Sequence, residues 1–227
     1  MIIDQKVFKP NLTTNLIIEA TKEYLSSNIK ENQSLSYLEM GCGGGEITYS
    51  LKDMLISYDL TMTDISSLAI KKTKERFKDE NLNINIYQSN LFNEIPKNKK
   101  FDIIISDVAA ISEDVLSITD WYDGVSCKTG PDGINLIEKI IKESANYMND
   151  GAALIYPALN LSNLEKLKKT VNKNFSKTIT LKSKNWPYNF SDEQKKILKF
   201  LKQNNHVNYK ELSGVVVFNT EVWMSVF

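Results

Sequence analysis

Residues 37–46 read Tyr37-Leu38-Glu39-Met40-Gly41-Cys42-Gly43-Gly44-Gly45-Glu46. An apolar run (Leu35, Tyr37, Leu38) ends in an acid, Glu39, and then in a cluster of glycines. A helical pattern follows, with Ile47, Leu51, Met54 and Leu55 on one face. Strand, tight glycine turn and helix is the layout by which an α/β sheet holds a nucleotide-like ligand. Glycine permits positive φ and lets a ligand approach the backbone without a Cβ in the way. The acid narrows the ligand. A phosphate-binding loop would be repelled by Glu39, no Gly-Lys-Ser/Thr follows the turn, and the pattern E-x-G-x-G-x-G suits a cation.

Three further strand ends carry matching groups. Residues 59–64 (D-L-T-M-T-D) read as a second strand ending in Asp64, which lies 25 residues after Glu39. That is near the spacing at which a βαβ unit sets a carboxylate on a ribose hydroxyl. Residues 84–91 (I-N-I-Y-Q-S-N-L) read as a third strand with a polar exit at Ser89 and Asn90. Residues 101–107 (F-D-I-I-I-S-D) read as a fourth, with the continuous apolar core of a strand buried on both faces. A cationic, adenosine-bearing ligand fits this set, and S-adenosylmethionine (SAM), with its sulfonium and amino group, is the expected cofactor.

The 227 residues make one large domain, long enough to bury a full core. The chain is 42% hydrophobic and 25% charged, ordinary for a soluble globular protein. No apolar run approaches the ~20 residues needed to span a bilayer. The opening M-I-I-D-Q-K-V-F-K-P lacks the apolar core of a signal peptide. The expected location is therefore the cytoplasm, with no membrane partner. Cys42 and Cys127 make no disulfide framework, and one histidine, His206, leaves no metal site of the His/Cys type. Net charge is zero, divided as −7 over residues 1–150 and +7 over 151–227. Lysines between 166 and 184 supply most of the basic excess, but Arg76 is the only arginine, a poor outfit for bidentate phosphate recognition. Nucleic acid is not the expected partner; the oligomeric state is open.

Along the chain, residues 14–25 read as a helix, 133–148 as another, and 152–156 as a fifth strand stopped by Pro157. Residues 161–175 read as a helix and 178–182 as a strand. Ser191 to Gln194 match a capping box opening a helix to about 203, and 214–227 as two edge-like strands. Alternation of strands and helices predicts a Rossmann-like α/β fold: a mostly parallel sheet with helices on both faces. Two connections are long, 108–133 and 184–213, and long loops in such folds are usually functional. The first follows strand four and is placed to form the acceptor pocket. The second, rich in aromatics and holding His206, is expected to form a lid.

From Val7 to Pro157 the chain resembles the class I SAM-dependent methyltransferases, and within them the release-factor glutamine methyltransferase group. V-F-K-P-N-L-T-T-N-L-I-I-E-A is similar to that group's proline-containing first segment and helix. L-E-M-G-C-G-G-G-E-I, M-T-D-I-S, S-N-L-F, F-D-I-I-I-S-D and G-P-D-G-I-N-L-I-E-K-I-I fall where its motifs fall. The resemblance implies a seven-stranded sheet. It also implies that Glu39, Gly41 and Gly43 hold the methionine part of SAM, Asp64 the ribose and Asn90 the adenine edge, with Cys42, Ile65 and Leu91 beside them in the cofactor site. Two departures bear on the substrate. The family ends strand four with Asn-Pro-Pro-Tyr, where this chain has Asp107-Val108-Ala109-Ala110. The family's N-terminal helical domain has no counterpart ahead of Val7.

An ionised Asp only accepts hydrogen bonds, so Asp107 favours an NH-rich acceptor and repels a carboxylate. The expected enzyme is a SAM-dependent N-methyltransferase acting on a small metabolite or peptide and releasing S-adenosylhomocysteine. Asp107 would touch cofactor and acceptor, His206 would take a proton, and Val108, Trp121, Tyr122 and Trp186 would wall the acceptor pocket. The alternatives are a protein or RNA methyltransferase related to the release-factor group, and a SAM-binding protein without catalysis.

Overall fold

The computed structural model describes residues 6–28, 34–125 and 127–227. The first five residues, on which part of the no-leader reading depends, lie outside the described residues. Eight strands form one sheet: β1 (Ser36–Met40), β2 (Asp59–Asp64), β3 (Ile84–Gln88), β4 (Phe101–Ser106), β5 (Met148–Leu159), β6 (Lys177–Tyr188), β7 (Lys210–Leu212) and β8 (Val215–Val226). Seven run in the order β3-β2-β1-β4-β5-β8-β6, and the short β7 pairs with β8. β1 to β5 are parallel, while β8 is antiparallel to both β5 and β6. No described helix is long and apolar enough to cross a membrane.

Side chains of a strand alternate between faces, and here each face has its own core. Tyr37, Leu60, Ile103, Ile105, Ile155 and Val222 pack with α1 (Leu12–Asn28) and α2 (Glu46–Leu51). On the other face, Leu38, Met40, Ile104, Leu154 and Tyr156 pack with α5 (Asn135–Ser144) and α6 (Leu164–Asn174). α3 (Ser67–Arg76) lies against β2 through Ile70 and Met62, and the short α4 (Glu113–Ser117) follows β4. Strand order grows outward from β1 to β3, then restarts on the opposite side of β1 with β4. The crevice between the carboxyl ends of β1 and β4 is thus the topological switch point, where such sheets bind ligands.

Three elements differ from the sequence expectation. β5 begins at Met148, runs through Asn149-Asp150-Gly151 and continues past Pro157 to Leu159. Its pairing with β4 stops at Ile155, so Pro157 stands where only the β8 side is paired, a place that tolerates a missing N–H. β6 extends to Tyr188 because it is the sheet's outer strand, where Pro187 and a polar sequence are acceptable. The chain's last stretch is one interior strand, β8, and not two edge strands. In its polar middle, Asn219 N–H donates to Asn160 Oδ1 at 2.8 Å and Trp223 Nε1 donates to Glu221 at 2.6 Å, while the buried Thr220 hydroxyl has no partner among the described residues.

Candidate functional site

A cavity of about 420 Å³ opens at the switch point. Its floor is the glycine turn, in which Gly41, Gly43 and Gly45 hold φ of +72°, +54° and +75°. The turn is fastened to β2. Gly41 and Cys42 N–H donate to Thr63 O at 2.8 and 2.9 Å, and Gly43 N–H donates to Asp64 Oδ2 at 2.8 Å. Asp64 Oδ1 accepts from Ser66 N–H at 2.9 Å, just ahead of α3. A carboxylate has about four lone-pair sites, so Asp64 can hold its loops and still accept from ligand hydroxyls.

Glu39 is 1% exposed, and its Oε2 accepts from Thr48 N–H at 3.1 Å and from the Thr48 hydroxyl. Burial pushes its carboxyl up to about 8; the Thr48 bonds oppose this, and nearby Asp107 and Asp64 add to it. Asp107 lies one residue past β4, half-buried on the cavity wall. Its Oδ2 accepts from the Thr14 hydroxyl at 2.6 Å. Burial pushes Asp107 up to about 7, with the Thr14 bond holding it back. Tyr122 is pushed upward by burial and by Asp107, so its phenol keeps its proton. A cluster of acids around one cavity is a place for a cationic ligand.

Glu39, Gly41, Cys42, Gly43, Asp64, Ile65, Asn90, Leu91, Asp107, Val108 and Tyr122 all line this one cavity. Leu91 does so in the left-handed region, φ +53°, rare for a side chain of its size. Trp121, Trp186 and His206 do not line it, contrary to expectation. Trp121 packs among Tyr188, Phe190 and Phe218, with ring centroids 5.1, 6.2 and 5.8 Å away. Trp186 sits inside β6, paired with Phe218 of β8. His206 follows α7 (Asp192–Gln203), with its N–H on Leu201 O at 2.9 Å. The physical reason is that β6 consumes residues 184–188, the start of the presumed loop. The rest joins Ala110, Ile111 and Val115 in a separate apolar cluster, so it backs the loop after β4 instead of covering the cavity.

Several lining residues were missed. Lys6 and Phe8, from the segment before α1, close over the rim. Lys6 N–H donates to Gly124 O at 3.2 Å, its Nζ meets Asp123 at 2.6 Å, and Phe8 stacks on Tyr122 at 4.9 Å. Aromatic and apolar residues in a segment with no helix or strand period were the available clue. Thr14 and Cys127 also line the cavity. Tyr122, Val125 and Cys127 further border a larger groove of about 820 Å³. Its described lining includes Glu113, Asp120, Asp123, Tyr188 and Gln194, and no lysine or arginine.

Of the seven lysines between 166 and 184, three are ion-paired. Lys166 meets Asp132 at 2.6 Å, Lys168 meets Glu165 at 3.1 Å, and Lys182 meets Glu23 at 2.6 Å. The single arginine, Arg76, meets Glu46 at 2.6 Å.

A model of the family described as methyltransferase small domain matches residues 10–107, from the start of α1 through Asp107. The release factor glutamine methyltransferase of Rhodopirellula baltica is 29% identical over 161 residues, 67% of this chain and 54% of that protein. Ribosomal RNA small subunit methyltransferase C of Haemophilus influenzae is 24% identical over 145 residues, 64% of this chain and 38% of that protein. The chain spans about half the length of the release factor glutamine methyltransferases it matches. Among solved structures, the T. thermophilus 16S rRNA N2 G1207 methyltransferase in complex with AdoMet and guanosine superposes with a TM-score of 0.57. It is 14% identical, with 94% of this chain and 43% of that chain covered, a likeness of fold. Residues 10–107 thus match the methyltransferase small domain, and the whole chain shares the fold of methyltransferases of solved structure.

Proposed function

We propose that this chain, a relative of the SAM-dependent methyltransferases in sequence and fold, transfers a methyl group to a nitrogen of a protein or peptide acceptor. The observation that carries the reading is that Asp107 opens into the same cavity as Glu39, Asp64 and Asn90. The cavity fits SAM. Its volume falls in the ~300–1,000 Å³ range of ligand pockets, and no atom lies within 4 Å of the place where a Cβ on Gly43 would stand. Glu39 and the glycine turn would hold the methionine end, Asp64 and Ile65 the ribose, Asn90 and Leu91 the adenine. SAM would supply a methyl group on a good sulfonium leaving group. The chain's share is to align the acceptor nitrogen in line with that bond and to take its proton on Asp107, whose raised pKa suits a base at neutral pH.

Protein is favoured over RNA by charge. The groove that adjoins the cavity presents Glu113, Asp120 and Asp123 and no described cation, whereas an RNA backbone needs free lysines or arginines. Three of the seven lysines of the 166–184 tract, Lys166, Lys168 and Lys182, are in ion pairs, and none of the seven lines the groove. The 184–213 connection contributes Tyr188 and Gln194 to the groove, and we place it as the acceptor-side wall. The curated relatives reported above are named for release factors and ribosomal RNA, so the small-metabolite half of the sequence expectation has no support there.

The test is transfer from methyl-labelled SAM into a fractionated host lysate. Label is expected in a protease-sensitive, RNase-resistant fraction, with loss of transfer in Asp107→Asn. Label that RNase removes would overturn the choice of protein.

A further inference from the structure

Asp107 is reached from a part of the chain 93 residues away. Thr14 lies in the first turn of α1, 3% exposed, and lines the cavity with Asp107. The start of α1 is fixed by Asn11, whose Oδ1 accepts from Thr13 N–H at 2.8 Å and Thr14 N–H at 3.1 Å. The Asn11 N–H in turn donates to Thr14 Oγ1 at 3.3 Å. A hydroxyl has one proton to give. Two acceptors lie in reach of that proton, Asn11 Oδ1 at 3.5 Å and Asp107 Oδ2 at 2.6 Å, and the much shorter contact takes it. Among the described residues this is the only hydrogen bond to the Asp107 carboxylate, and none reaches Oδ1. One oxygen is therefore clamped and the other is left for a ligand.

We infer that Thr14 is a positioning residue for the methyl transfer proposed above: its hydroxyl holds Asp107 Oδ2 so that Oδ1 faces the acceptor nitrogen and receives its proton. The inference rests on that functional reading. In the step, the nitrogen lone pair forms the N–CH₃ bond while the S–CH₃ bond breaks, its electron pair staying on sulfur as a neutral thioether. The proton lost by nitrogen goes to Asp107 Oδ1 and from there to solvent. A donor bond to a carboxylate favours the ionised form, so the Thr14 bond also keeps Asp107 available as a base against the burial that raises its pKa. The other charged or titratable groups facing the same cavity are Glu39 from β1, Cys42 from the glycine turn, Glu46 from α2, Asp64 from β2, Tyr122, Cys127 and Lys128 from the loop after β4, Lys6 from the N-terminal segment and Lys139 from α5.

The experiment compares Thr14→Val and Thr14→Ser with the full wild-type chain by two readouts. The first is a carbon-13 NMR titration of the Asp107 carboxyl in the cofactor-free protein, which needs no acceptor. The second is the pH dependence of kcat on the acceptor fraction found above. Removing the hydroxyl is expected to move the Asp107 midpoint, and with it the acidic limb of the kcat profile, upward by about one unit, a roughly tenfold rate loss below the midpoint. Thr14→Ser is expected to restore both. If Thr14→Val does not fold, Thr14→Ala removes the same hydroxyl with less bulk and carries the same expectation. An active wild type whose limb and midpoint are unmoved in the folded variant overturns the role of Thr14. A wild type that binds SAM but transfers methyl to nothing overturns the functional reading, whatever the titration shows.

Discussion

Gly41 and Val108 meet across the floor of the cavity: a Cβ on Gly41 would lie 2.8 Å from Val108 Cγ1, and Gly41 holds φ +72°. The contact joins the ends of β1 and β4, whose last paired residues are Met40 and Ser106. Gly41→Ala would meet both the methyl and the left-handed backbone, a strain of roughly 1–2 kcal/mol for the backbone alone. SAM affinity measured by titration calorimetry is expected to fall, and Val108→Ala in the same chain to restore part of it. No recovery in the double variant would show that the backbone alone sets the requirement for glycine.

Asp64 holds both the glycine turn and the start of α3. Asp64→Asn keeps one acceptor oxygen and loses the charge. SAM affinity is expected to drop about tenfold, the scale of one charge-assisted hydrogen bond. NADH is expected to bind the wild type more weakly than SAM; the reverse order would remove SAM as the ligand.

Burial holds Glu39 up to about 8 and Asp107 up to about 7, against ordinary values of 4.5 and 3.8. At pH values between, the folded chain keeps protons that the unfolded chain has lost. Stability of the cofactor-free protein should therefore fall as pH rises from roughly 4 to 8, and a cationic ligand should expel the protons when it binds. The measurements are thermal midpoints across that range and calorimetry of SAM binding in buffers of different ionisation enthalpy. Glu39→Gln is expected to flatten the stability profile while weakening SAM. Binding heats that do not depend on buffer would count against this linkage.

The rim is closed by Phe8 on Tyr122 and by the exposed pair of Lys6 and Asp123. Exposed ion pairs contribute little, whereas aromatic contacts contribute beyond their buried area. Phe8→Ala is expected to speed SAM dissociation about threefold or more, and Lys6→Ala to change it little. Stopped-flow dissociation rates decide between them.

Trp121 is surrounded by Tyr188, Phe190 and Phe218 rather than by the cofactor cavity. Trp121→Ala is expected to cost stability, about 3 kcal/mol for an aromatic removed from a packed cluster, with SAM affinity nearly unchanged. A large loss of SAM affinity without loss of thermal midpoint would return Trp121 to the binding site.

The strand-end side of the cavity was legible in sequence because each of its groups stands at the exit of a parallel strand. Glu39, Asp64, Asn90 and Asp107 are local signals: a run of apolar residues, then a polar one, at βαβ spacing. Once β1 to β4 are parallel neighbours, those exits must lie at one end of the sheet, whatever the details of packing. Fold class and the residues that line the cavity at the strand ends thus follow from patterns that a chain carries within stretches of a few residues.

The acceptor side depended on contacts between distant segments. Nothing in K-V-F-K-P shows that Lys6 and Phe8 will meet Asp123 and Tyr122, or that Thr14 will meet Asp107. Aromatic content at 186–190 suggested a lid, but burial is decided by which surface is available. Pairing of β6 with β8 through Tyr188 carried those rings onto the loop after β4, and His206 away from the cavity. Sequence by itself determined where the strand ends lie. Only the tertiary structure decided which loops close over them, because apolar side chains carry no record of their partner and pack on whatever face the strand register offers.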